Sequence, residues 1–228
     1  MTTINLIIFD CDGVLVDSEP LAMRVLLETI AAAGVTIDPK TAFREFLGRS
    51  LSSISESLDE LHGLRLTPEA LERMRLQLYA LYRRELRPMP GLIDALAKIN
   101  LPICVASSSH LERIRLSLSI TGLLDRFEPA IFSASMVRNG KPAPDLFLFA
   151  ADAMLTAPEN CLVIEDSPAG IAGAKAAGMQ VFGFVGGGHV LPSGIRAEVQ
   201  ALRPTLIFDD MHVLPALVEQ AGANKRAP

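Results

Sequence analysis

The sequence predicts an α/β protein in which a doubly wound (Rossmann-like) parallel sheet is interrupted by an all-helical domain. After residue 90, apolar runs of strand length alternate with segments of helical periodicity, which is typical of strands buried on both faces of a parallel sheet. Another apolar run stands near the chain start, and residues 16–89 after it show only helical periodicity. We therefore predict a core of residues 1–15 and 90–228 and a helical insert of residues 16–89.

The length and composition of the chain are consistent with this architecture. A chain of 228 residues, half of them apolar, can bury the core of one sizeable domain together with a smaller insert. The formal net charge of -5 argues against broad electrostatic binding of nucleic acid. Tryptophan is absent and only 5% of the residues are aromatic, so few side chains could stack on bases. We expect no nucleic-acid partner.

The cysteines and the start of the chain favour a cytoplasmic protein. Cys11, Cys104 and Cys161 are few, odd in number and each set in an apolar run, which is typical of buried, reduced thiols rather than disulfides or metal ligands. The sequence shows no positively charged leader before an apolar segment and no apolar span of membrane length. We expect no membrane partner. The oligomeric state stays open, and a monomer is compatible with the sequence.

The first strand delivers two acidic side chains to its carboxyl end. An apolar run from Leu6 to Phe9 leads into Asp10 and Asp12, and Gly13 can then turn the backbone. Because side chains alternate along an extended segment, the two aspartates can point to the same side. Two carboxylates in one small volume are unfavourable unless a cation joins them or one takes a proton. This pair therefore indicates a divalent metal, acid/base chemistry, or both.

The helical insert is predicted to contain four helices. Apolar residues recur at helical spacing in four stretches between Asp17 and Pro88. Glycines at 34, 48 and 63 are predicted to end the first three helices. Asp38-Pro39 and Thr67-Pro68 each combine an N-cap residue with a first-turn proline, so they are start signals for the second and fourth helices.

Strands and helices are predicted to alternate after the helical insert. The predicted strands are Leu101–Ala106, Ala130–Phe132, Cys161–Ile164, Val181–Val185 and Leu206–Phe208. The predicted helices are 91–98, a segment with Leu111, Ile114 and Leu118 on one face, Asp145–Leu155, Ala169–Ala177, and a segment after Asp210. The stretch from Gly186 to His189 is interpreted as a flexible loop, with His189 close to a substrate as the alternative.

Polar residues follow several of these strands at the point where each strand ends. Ser107, Ser108 and Ser109 follow one strand, the pair Glu165-Asp166 follows another, and Lys141 lies in a Pro-rich loop between them. In doubly wound sheets the carboxyl ends of the strands converge on one crevice, which is where ligands bind. The crevice would combine acids, one cation, and hydroxyl and amide donors.

Four segments of the sequence together resemble the motifs of the haloacid dehalogenase-like hydrolase superfamily. They are Asp-x-Asp-Gly-Val-Leu-x-Asp-Ser at 10–18, the strand that ends in Ser107, Lys-Pro-x-Pro-Asp at 141–145, and Ile-Glu-Asp-Ser at 164–167. Their order and spacing match, and the helical insert resembles that superfamily's helical cap. The resemblance spans nearly the whole chain, and its nearest branch contains the small-molecule phosphatases and β-phosphoglucomutases.

The resemblance implies a role for each acidic residue of the crevice. Asp10 would be the nucleophile that forms an aspartyl-phosphate. Asp12 would protonate the leaving oxygen and then act as a base toward water. Mg2+ would be held by the Asp10 side chain, the Asp12 backbone carbonyl and Asp166, with Glu165 binding it directly or through a water.

The resemblance also implies how the phosphoryl group is held. Lys141 would offset charge between Asp10 and the phosphoryl oxygens, while Ser107, Ser108 and nearby backbone amides would bind those oxygens. Arg49, between two helices of the insert, would grip a carboxylate or hydroxyls of the substrate.

Simpler interpretations stay open for several of these residues. The serines after the second strand could cap the following helix, and Asp166 could be the N-cap of the helix after it. Lys141 and Arg49 could be solvated surface cations. Asp17 suits either a positioning role near the junction with the insert or the stabilisation of a turn.

Three residue positions separate the chemistries known within this superfamily. Dehalogenases resemble the chain but lack the acid at the position of Asp12. Phosphonatases use a cap lysine, and Lys40, the one lysine between Asp17 and Tyr82, does not lie in similar surroundings. β-Phosphoglucomutases typically have a histidine where this chain has Ala22, which favours hydrolysis.

The predicted function is therefore a Mg2+-dependent phosphatase of a small phosphorylated metabolite, a sugar or sugar-acid phosphate, acting through an aspartyl-phosphate. The alternatives are a β-phosphoglucomutase-like phosphosugar mutase and a non-catalytic binding module that keeps the fold.

Overall fold

A six-stranded parallel sheet forms the centre of the computed structural model, which describes residues 3–47 and 51–223. The strands are β1 Leu6–Phe9, β2 Ile103–Ser107, β3 Ile131–Ser133, β4 Cys161–Glu165, β5 Gln180–Phe184 and β6 Leu206–Phe208. Their order in the sheet is β3-β2-β1-β4-β5-β6. Every predicted strand is confirmed, with bounds that differ from the prediction by no more than two residues.

Helices cover both faces of this sheet. Those of the described residues are α1 Glu19–Ala32, α2 Pro39–Phe46, α3 Leu51–His62, α4 Pro68–Glu85, α5 Leu92–Lys98, α6 Leu111–Ile120, α7 Leu124–Phe127, α8 Asp145–Ala153, α9 Pro168–Ala176, α10 Val190–Ser193, α11 Ile195–Ala201 and α12 Leu214–Ala223. Within the described ranges, no helix is long and apolar enough to cross a membrane.

The alternation of side chains along β1 divides the core into two layers. Ile7 and Phe9 join one cluster of buried apolar side chains, while Leu6 and Ile8 join a second cluster on the opposite face. All four residues of β1 are fully buried. A strand that is apolar on both faces requires cover on both sides, so the prediction of a doubly wound sheet is confirmed. The three cysteines are buried and free, as predicted.

Helices α1 to α4 make up the helical insert, and the predicted start signals cap two of them. The Asp38 side chain accepts a hydrogen bond from the backbone N–H of Thr41 at 3.0 Å at the start of α2. The Thr67 hydroxyl accepts one from the backbone N–H of Ala70 at 3.2 Å at the start of α4. Each bond satisfies a donor that a helix start leaves without a partner. Helix α4 packs against α1 through a buried face that includes Tyr82.

The two chain segments that join the helical insert to the sheet run side by side. Val16 forms an antiparallel bridge with Pro88, and the backbone N–H of Met89 donates to the carbonyl of Leu15 at 2.9 Å. The boundaries predicted after residues 15 and 89 lie where these two segments pair with each other. The division into core and insert stays a proposal that this geometry supports.

The segment after β5 differs from the prediction. Gly186–His189 lie in neither a helix nor a strand, which agrees with the interpretation of this stretch as a loop, although His189 is fully buried. The sequence analysis assigned no helix after this stretch, whereas α10 and α11 follow it. Pro192 and Gly194 interrupt the helical periodicity there, and Gly194 has a φ of 73°. The two helices were not recognisable from the sequence, because neither is long enough to show a repeated apolar face.

Candidate active site

Lys141 joins the carboxyl ends of three neighbouring strands. Its ammonium nitrogen Nζ donates to Asp10 Oδ1 at 2.6 Å, to Glu165 Oε1 at 2.6 Å and to the carbonyl of Ala106 at 2.9 Å. The Lys141 side chain is only 2% exposed. Burial disfavours its charge, but the charges of Asp10 and Glu165 outweigh that cost and raise the pKa of Lys141 above its ordinary value. Lys141 is therefore a buried cation and not a solvated surface lysine.

Three buried carboxyl groups form a cluster that includes both acidic partners of this lysine. Asp10, Glu165 and Asp166 each offer one carboxylate oxygen, and these oxygens lie within 4.8 Å of one another. Burial raises the pKa of Asp10 well above its ordinary value, and Lys141 only partly opposes the rise. Burial likewise raises the pKa of Asp166. Carboxylate oxygens are the donors that hard divalent cations prefer, so this cluster could bind such an ion.

Glu165 is held by the start of the following helix. Its Oε2 accepts hydrogen bonds from the backbone N–H of Ser167 at 2.8 Å and from the Ser167 hydroxyl at 2.9 Å. The Ser167 hydroxyl in turn accepts from the backbone N–H of Gly170 at 3.0 Å, so Ser167 is the N-cap of α9. The alternative interpretation, in which Asp166 caps this helix, is wrong. A Cβ at Gly170 would lie 1.7 Å from Glu165 Oε1, so this position requires glycine.

Asp12 has a separate set of partners. The Ser18 hydroxyl donates to its Oδ1 at 2.6 Å, the Ser109 hydroxyl donates to its Oδ2 at 2.6 Å, and Arg113 Nη2 donates to its Oδ1 at 2.9 Å. Burial raises the pKa of Asp12, but the Arg113 charge and these hydrogen bonds outweigh burial, so the net pKa is lowered. The environments of Asp10 and Asp12 thus shift their pKa values in opposite directions, which is typical of paired groups with different catalytic tasks.

Arg113 connects Asp12 to the helical insert. The same Nη2 atom that contacts Asp12 also donates to the hydroxyl of Tyr82 at 2.9 Å, and Tyr82 lies on α4. The Arg113 guanidinium lies 5.6 Å from the centre of the Tyr82 ring. The sequence analysis missed Arg113, since no motif marks it, and nothing in the spacing along α6 sets it apart from Arg115.

The predicted phosphate-binding serines lie at the end of β2 and in the turn after it. Ser107 is 1% exposed, and its hydroxyl accepts from the backbone N–H of Ser109 at 3.1 Å, while Ser108 is exposed. Helix α6 begins after His110, and its N-cap makes no side-chain hydrogen bond. None of these three serines is the N-cap of α6, so the capping alternative is wrong.

Two further predicted residues, Asp17 and Arg49, belong to the segment 16–89 of the sequence. Asp17 Oδ1 accepts a hydrogen bond from the backbone N–H of Gly188 at 3.0 Å, so Asp17 joins the start of the insert to the turn after β5. Arg49, predicted to contact substrate, lies outside the described residues.

His189 lies at the edge of the acidic cluster. Its Nε2 lies 3.0 Å from Asp166 Oδ2. Burial lowers the pKa of His189, but the adjacent Asp166 carboxylate outweighs burial, so the net pKa is raised. The alternative interpretation, in which His189 lies near a substrate, stays a prediction, and the structure places His189 against one of the clustered acids.

Comparison with known proteins points to hydrolases of phosphorylated sugars. A family model described as a haloacid dehalogenase-like hydrolase matches residues 4–178. The 6-phosphogluconate phosphatase of Escherichia coli (strain K12) is 34% identical over 193 residues, which are 84% of this chain and 87% of that protein. The fructose-1-phosphate phosphatase YqaB of the same strain is 32% identical over 176 residues, which are 76% of this chain and 92% of that protein.

A solved structure extends the similarity over the whole fold. A conserved haloacid dehalogenase-like protein from Agrobacterium tumefaciens str. C58 superposes with a TM-score of 0.85 at 32% identity, covering 96% of this chain and 99% of that chain. The match includes both the sheet and the helical insert, since so little of either chain is left uncovered.

Proposed function

Since the chain belongs to the haloacid dehalogenase-like hydrolase family and is a phosphoric monoester hydrolase, we propose that it is a Mg2+-dependent phosphatase of a sugar or sugar-acid phosphate that reacts through an aspartyl-phosphate. One observation carries the proposal. Asp10 lies 2.6 Å from the buried Lys141, within a cluster of acids, while Asp12 has its own partners. Two neighbouring carboxylates in different environments suit a nucleophile and an acid/base.

Asp10 is the proposed nucleophile. One of its carboxylate oxygens attacks phosphorus while the bond from phosphorus to the sugar oxygen breaks, which divides the transfer into two easier steps. Lys141 lies close enough to Asp10 to offset the negative charge that builds up between the carboxylate and the phosphoryl oxygens. Ser107, Ser108 and the backbone amides of their turn are proposed to bind those oxygens.

Asp12 is the proposed acid/base. It gives a proton to the leaving sugar oxygen in the first step and takes one from the attacking water in the second. Ser18, Ser109 and Arg113 favour its ionised form, which is the form that accepts a proton from water. The arrangement described here therefore suits the second step, the hydrolysis of the aspartyl-phosphate.

The proposed Mg2+ ligands are the side chains of Asp10 and Asp166 and the backbone carbonyl of Asp12, with Glu165 direct or through a water. The donor set fits this ion, because three buried carboxyl groups offer oxygen ligands and a single cation, Lys141, pairs with two of them. When bound, Mg2+ would neutralise charge on the transferring phosphoryl group.

The proposed substrate class comes from the relatives, whose names specify 6-phosphogluconate and fructose 1-phosphate. We propose that the core, residues 1–15 and 90–228, carries the chemistry and that the helical insert, residues 16–89, covers the substrate as a cap. Hydrolysis is preferred over phosphosugar transfer because the insert presents Ala22, which cannot exchange a proton with a sugar hydroxyl.

A panel of phosphorylated sugars and sugar acids, assayed for phosphate release with Mg2+ and with EDTA, tests the proposal. We expect release that depends on Mg2+ and is lost in Asp10→Asn. Glucose 1-phosphate distinguishes the mutase alternative, since a mutase would yield glucose 6-phosphate and a phosphatase yields free phosphate. Turnover that survives in Asp10→Asn, or an absence of turnover across the panel, would contradict the proposal.

A further inference from the structure

The last residue of the edge strand β3 is a fully buried serine beside the turn after β2. Ser133 is 0% exposed and is paired in register with Ser107 of β2. Its Oγ donates to the backbone carbonyl of Ser109 at 2.7 Å and accepts from the backbone N–H of Ser135 at 3.2 Å. Buried hydroxyl groups are costly unless they are paired. These hydrogen bonds therefore account for a serine at this position.

The direction of one more hydrogen bond follows from the single proton of the Ser133 hydroxyl. The hydroxyl oxygens of Ser133 and Ser135 lie 2.9 Å apart, and either atom could be the donor. A carbonyl oxygen can only accept, so the Ser133 proton is used on the carbonyl of Ser109. The Ser135 hydroxyl must then donate to Ser133. The Ser133 Oγ thus donates one hydrogen bond and accepts two, which is its full capacity.

Ser109 is held on both sides by this part of the sheet. Its carbonyl accepts from Ser133, and its backbone N–H donates to Ser107 Oγ at 3.1 Å. Its hydroxyl donates to Asp12 Oδ2 at 2.6 Å. The two backbone contacts fix the peptide groups before and after Ser109, and so they fix the direction in which its hydroxyl points. Ser133 therefore acts on Asp12 through one intermediate residue.

The two carboxylate oxygens of Asp12 differ in the capacity that is left for a further proton. Oδ1 accepts hydrogen bonds from both Ser18 and Arg113, which use its two lone pairs. Among the hydrogen bonds of the described residues, Oδ2 accepts only the one from Ser109, so one of its lone pairs is free. Oδ2 is therefore the oxygen that can carry the proton exchanged by the proposed acid/base. The placement of this oxygen depends on Ser109.

We infer that Ser133 is a positioning residue that, through Ser109, directs Oδ2 of Asp12 toward the leaving oxygen of the substrate. This inference rests on the proposed function, in which Asp12 is the acid/base. Without the Ser133 hydroxyl, the carbonyl of Ser109 loses a buried partner, and the peptide group after Ser109 is free to rotate. The Ser109 hydroxyl then no longer holds Oδ2, and the carboxylate turns out of the geometry that proton transfer requires.

The kcat/KM values for two kinds of substrate test the inference. The leaving oxygen of a sugar phosphate requires a proton, whereas nitrophenolate leaves without one. The sugar phosphate is 6-phosphogluconate or fructose 1-phosphate, whichever the wild type hydrolyses faster. We expect Ser133→Ala to lower kcat/KM for the sugar phosphate by about 10- to 100-fold more than kcat/KM for p-nitrophenyl phosphate. A structural role, or a role in binding the phosphoryl group, would lower both values by the same factor, and that result would overturn the inference.

Two other serines provide matched controls for the loss of a hydroxyl. Ser117 on α6 is also 0% exposed, but its Oγ has no hydrogen-bond partner within the described part of the chain. Ser135 is exposed, and Ser135→Ala leaves the bond from Ser133 to Ser109 in place. Ser117→Ala and Ser135→Ala should keep the wild-type ratio of the two kcat/KM values. A fall in this ratio in Ser117→Ala as large as that in Ser133→Ala would contradict the inferred path.

A double-mutant cycle with Ser109→Ala tests the path itself. Ser109→Ala removes the hydroxyl that contacts Oδ2, so we expect the ratio to fall at least as far as in Ser133→Ala. Ser133→Ala should add no further fall in the Ser109→Ala protein, because residues that act through one shared contact are not additive. Additive falls would overturn the inference. An unchanged ratio in Ser109→Ala would also overturn it, and this arm decides even if Ser133→Ala does not fold.

The outcomes separate the inference from the proposed function. A wild type that releases phosphate from neither sugar phosphate contradicts the proposed function itself. A wild type that hydrolyses one of them, while folded Ser133→Ala keeps the wild-type ratio, contradicts only the role of Ser133. A fall in the ratio that is shared by Ser133→Ala and Ser109→Ala, and is no larger in the double variant than in Ser109→Ala, supports both.

Discussion

The two aspartates of the first motif lie two positions apart, yet they belong to different parts of the molecule. Asp10 is paired with Lys141 and clustered with other acids of the sheet edge, so its surroundings are built from the core alone. Asp12 contacts Arg113, which also contacts Tyr82 on a helix of the insert. We call Asp10 and its partners the core half of the site, because the residues proposed for phosphoryl transfer all lie in the core. We call Asp12 and Arg113 the acid/base half, and its geometry depends on where the helical insert lies.

The same difference is visible in the electrostatics. Burial acts on both carboxyl groups, but it dominates at Asp10, while charge and hydrogen bonding outweigh it at Asp12, so the two pKa values move apart. Burial alone therefore does not set the protonation states of the two aspartates in this motif. The neighbours supplied by each region decide it.

The largest expected effect is in the core half. Lys141→Met leaves the buried acids without their ammonium partner, and removing one member of a buried ion pair typically costs about 3–5 kcal/mol. We also expect kcat to fall by on the order of 10²- to 10³-fold or more, because a charge-stabilising group is lost. Urea unfolding in EDTA and phosphate-release kinetics measure the two effects.

Addition of Mg2+ provides the control for this variant. If the acids are the source of the instability, Mg2+ should raise the free energy of unfolding of Lys141→Met more than that of the wild type. An unfolding free energy equal to that of the wild type in EDTA would contradict this account of the core half.

A smaller effect is expected where the acid/base half reaches the helical insert. Tyr82→Phe removes the hydroxyl that accepts a hydrogen bond from Arg113, which should cost about 1 kcal/mol of stability. Because Arg113 then holds Asp12 less firmly, we expect kcat to fall several-fold. Steady-state kinetics on a sugar phosphate and urea unfolding measure both quantities.

The matched control for this variant is Tyr79→Phe. Tyr82 and Tyr79 are the two tyrosines of the chain and both lie on α4, but Tyr79 contacts Arg75 and not Arg113. Tyr79→Phe should leave kcat unchanged. Equal losses of kcat in the two variants would show that the helix as a whole, and not the contact with Arg113, matters.

The smallest effect concerns the first residue of the helical insert's first helix. Burial and the charge of Asp12 raise the pKa of Glu19 to about 7 from its ordinary 4.5. A carboxyl group with a raised pKa favours folding while it is protonated, so this contribution is lost as the pH rises from about 4.5 to 7. Glu19→Gln should lack that loss.

Urea unfolding in EDTA at a series of pH values measures this effect. We expect the free energy of unfolding of the wild type to fall with rising pH more steeply than that of Glu19→Gln across that interval. The difference between the two slopes should not exceed the value for one proton released on unfolding. Parallel pH dependences in the two proteins would contradict the raised pKa.

Much of the fold and part of the site could be predicted from the sequence. The strands were recognisable because each is a short apolar run, and Asp10 and Asp166 were recognisable because each directly follows such a strand. Arg113 and Tyr82 were not, because each acquires its role only through contacts between distant segments. The side chain of Tyr82 looks like an ordinary core residue in sequence, and its hydroxyl matters only because α4 packs beside α6.

The separation of the two halves is tested most directly by Asp12→Asn with p-nitrophenyl phosphate. This leaving group needs no proton, so Asp10 can still be phosphorylated, while hydrolysis of the aspartyl-phosphate lacks its base. The account predicts a rapid burst of one nitrophenolate per chain and an intact mass increased by one phosphoryl group, located on Asp10 by peptide mapping. Slow release without a burst and with no increase in mass would contradict it.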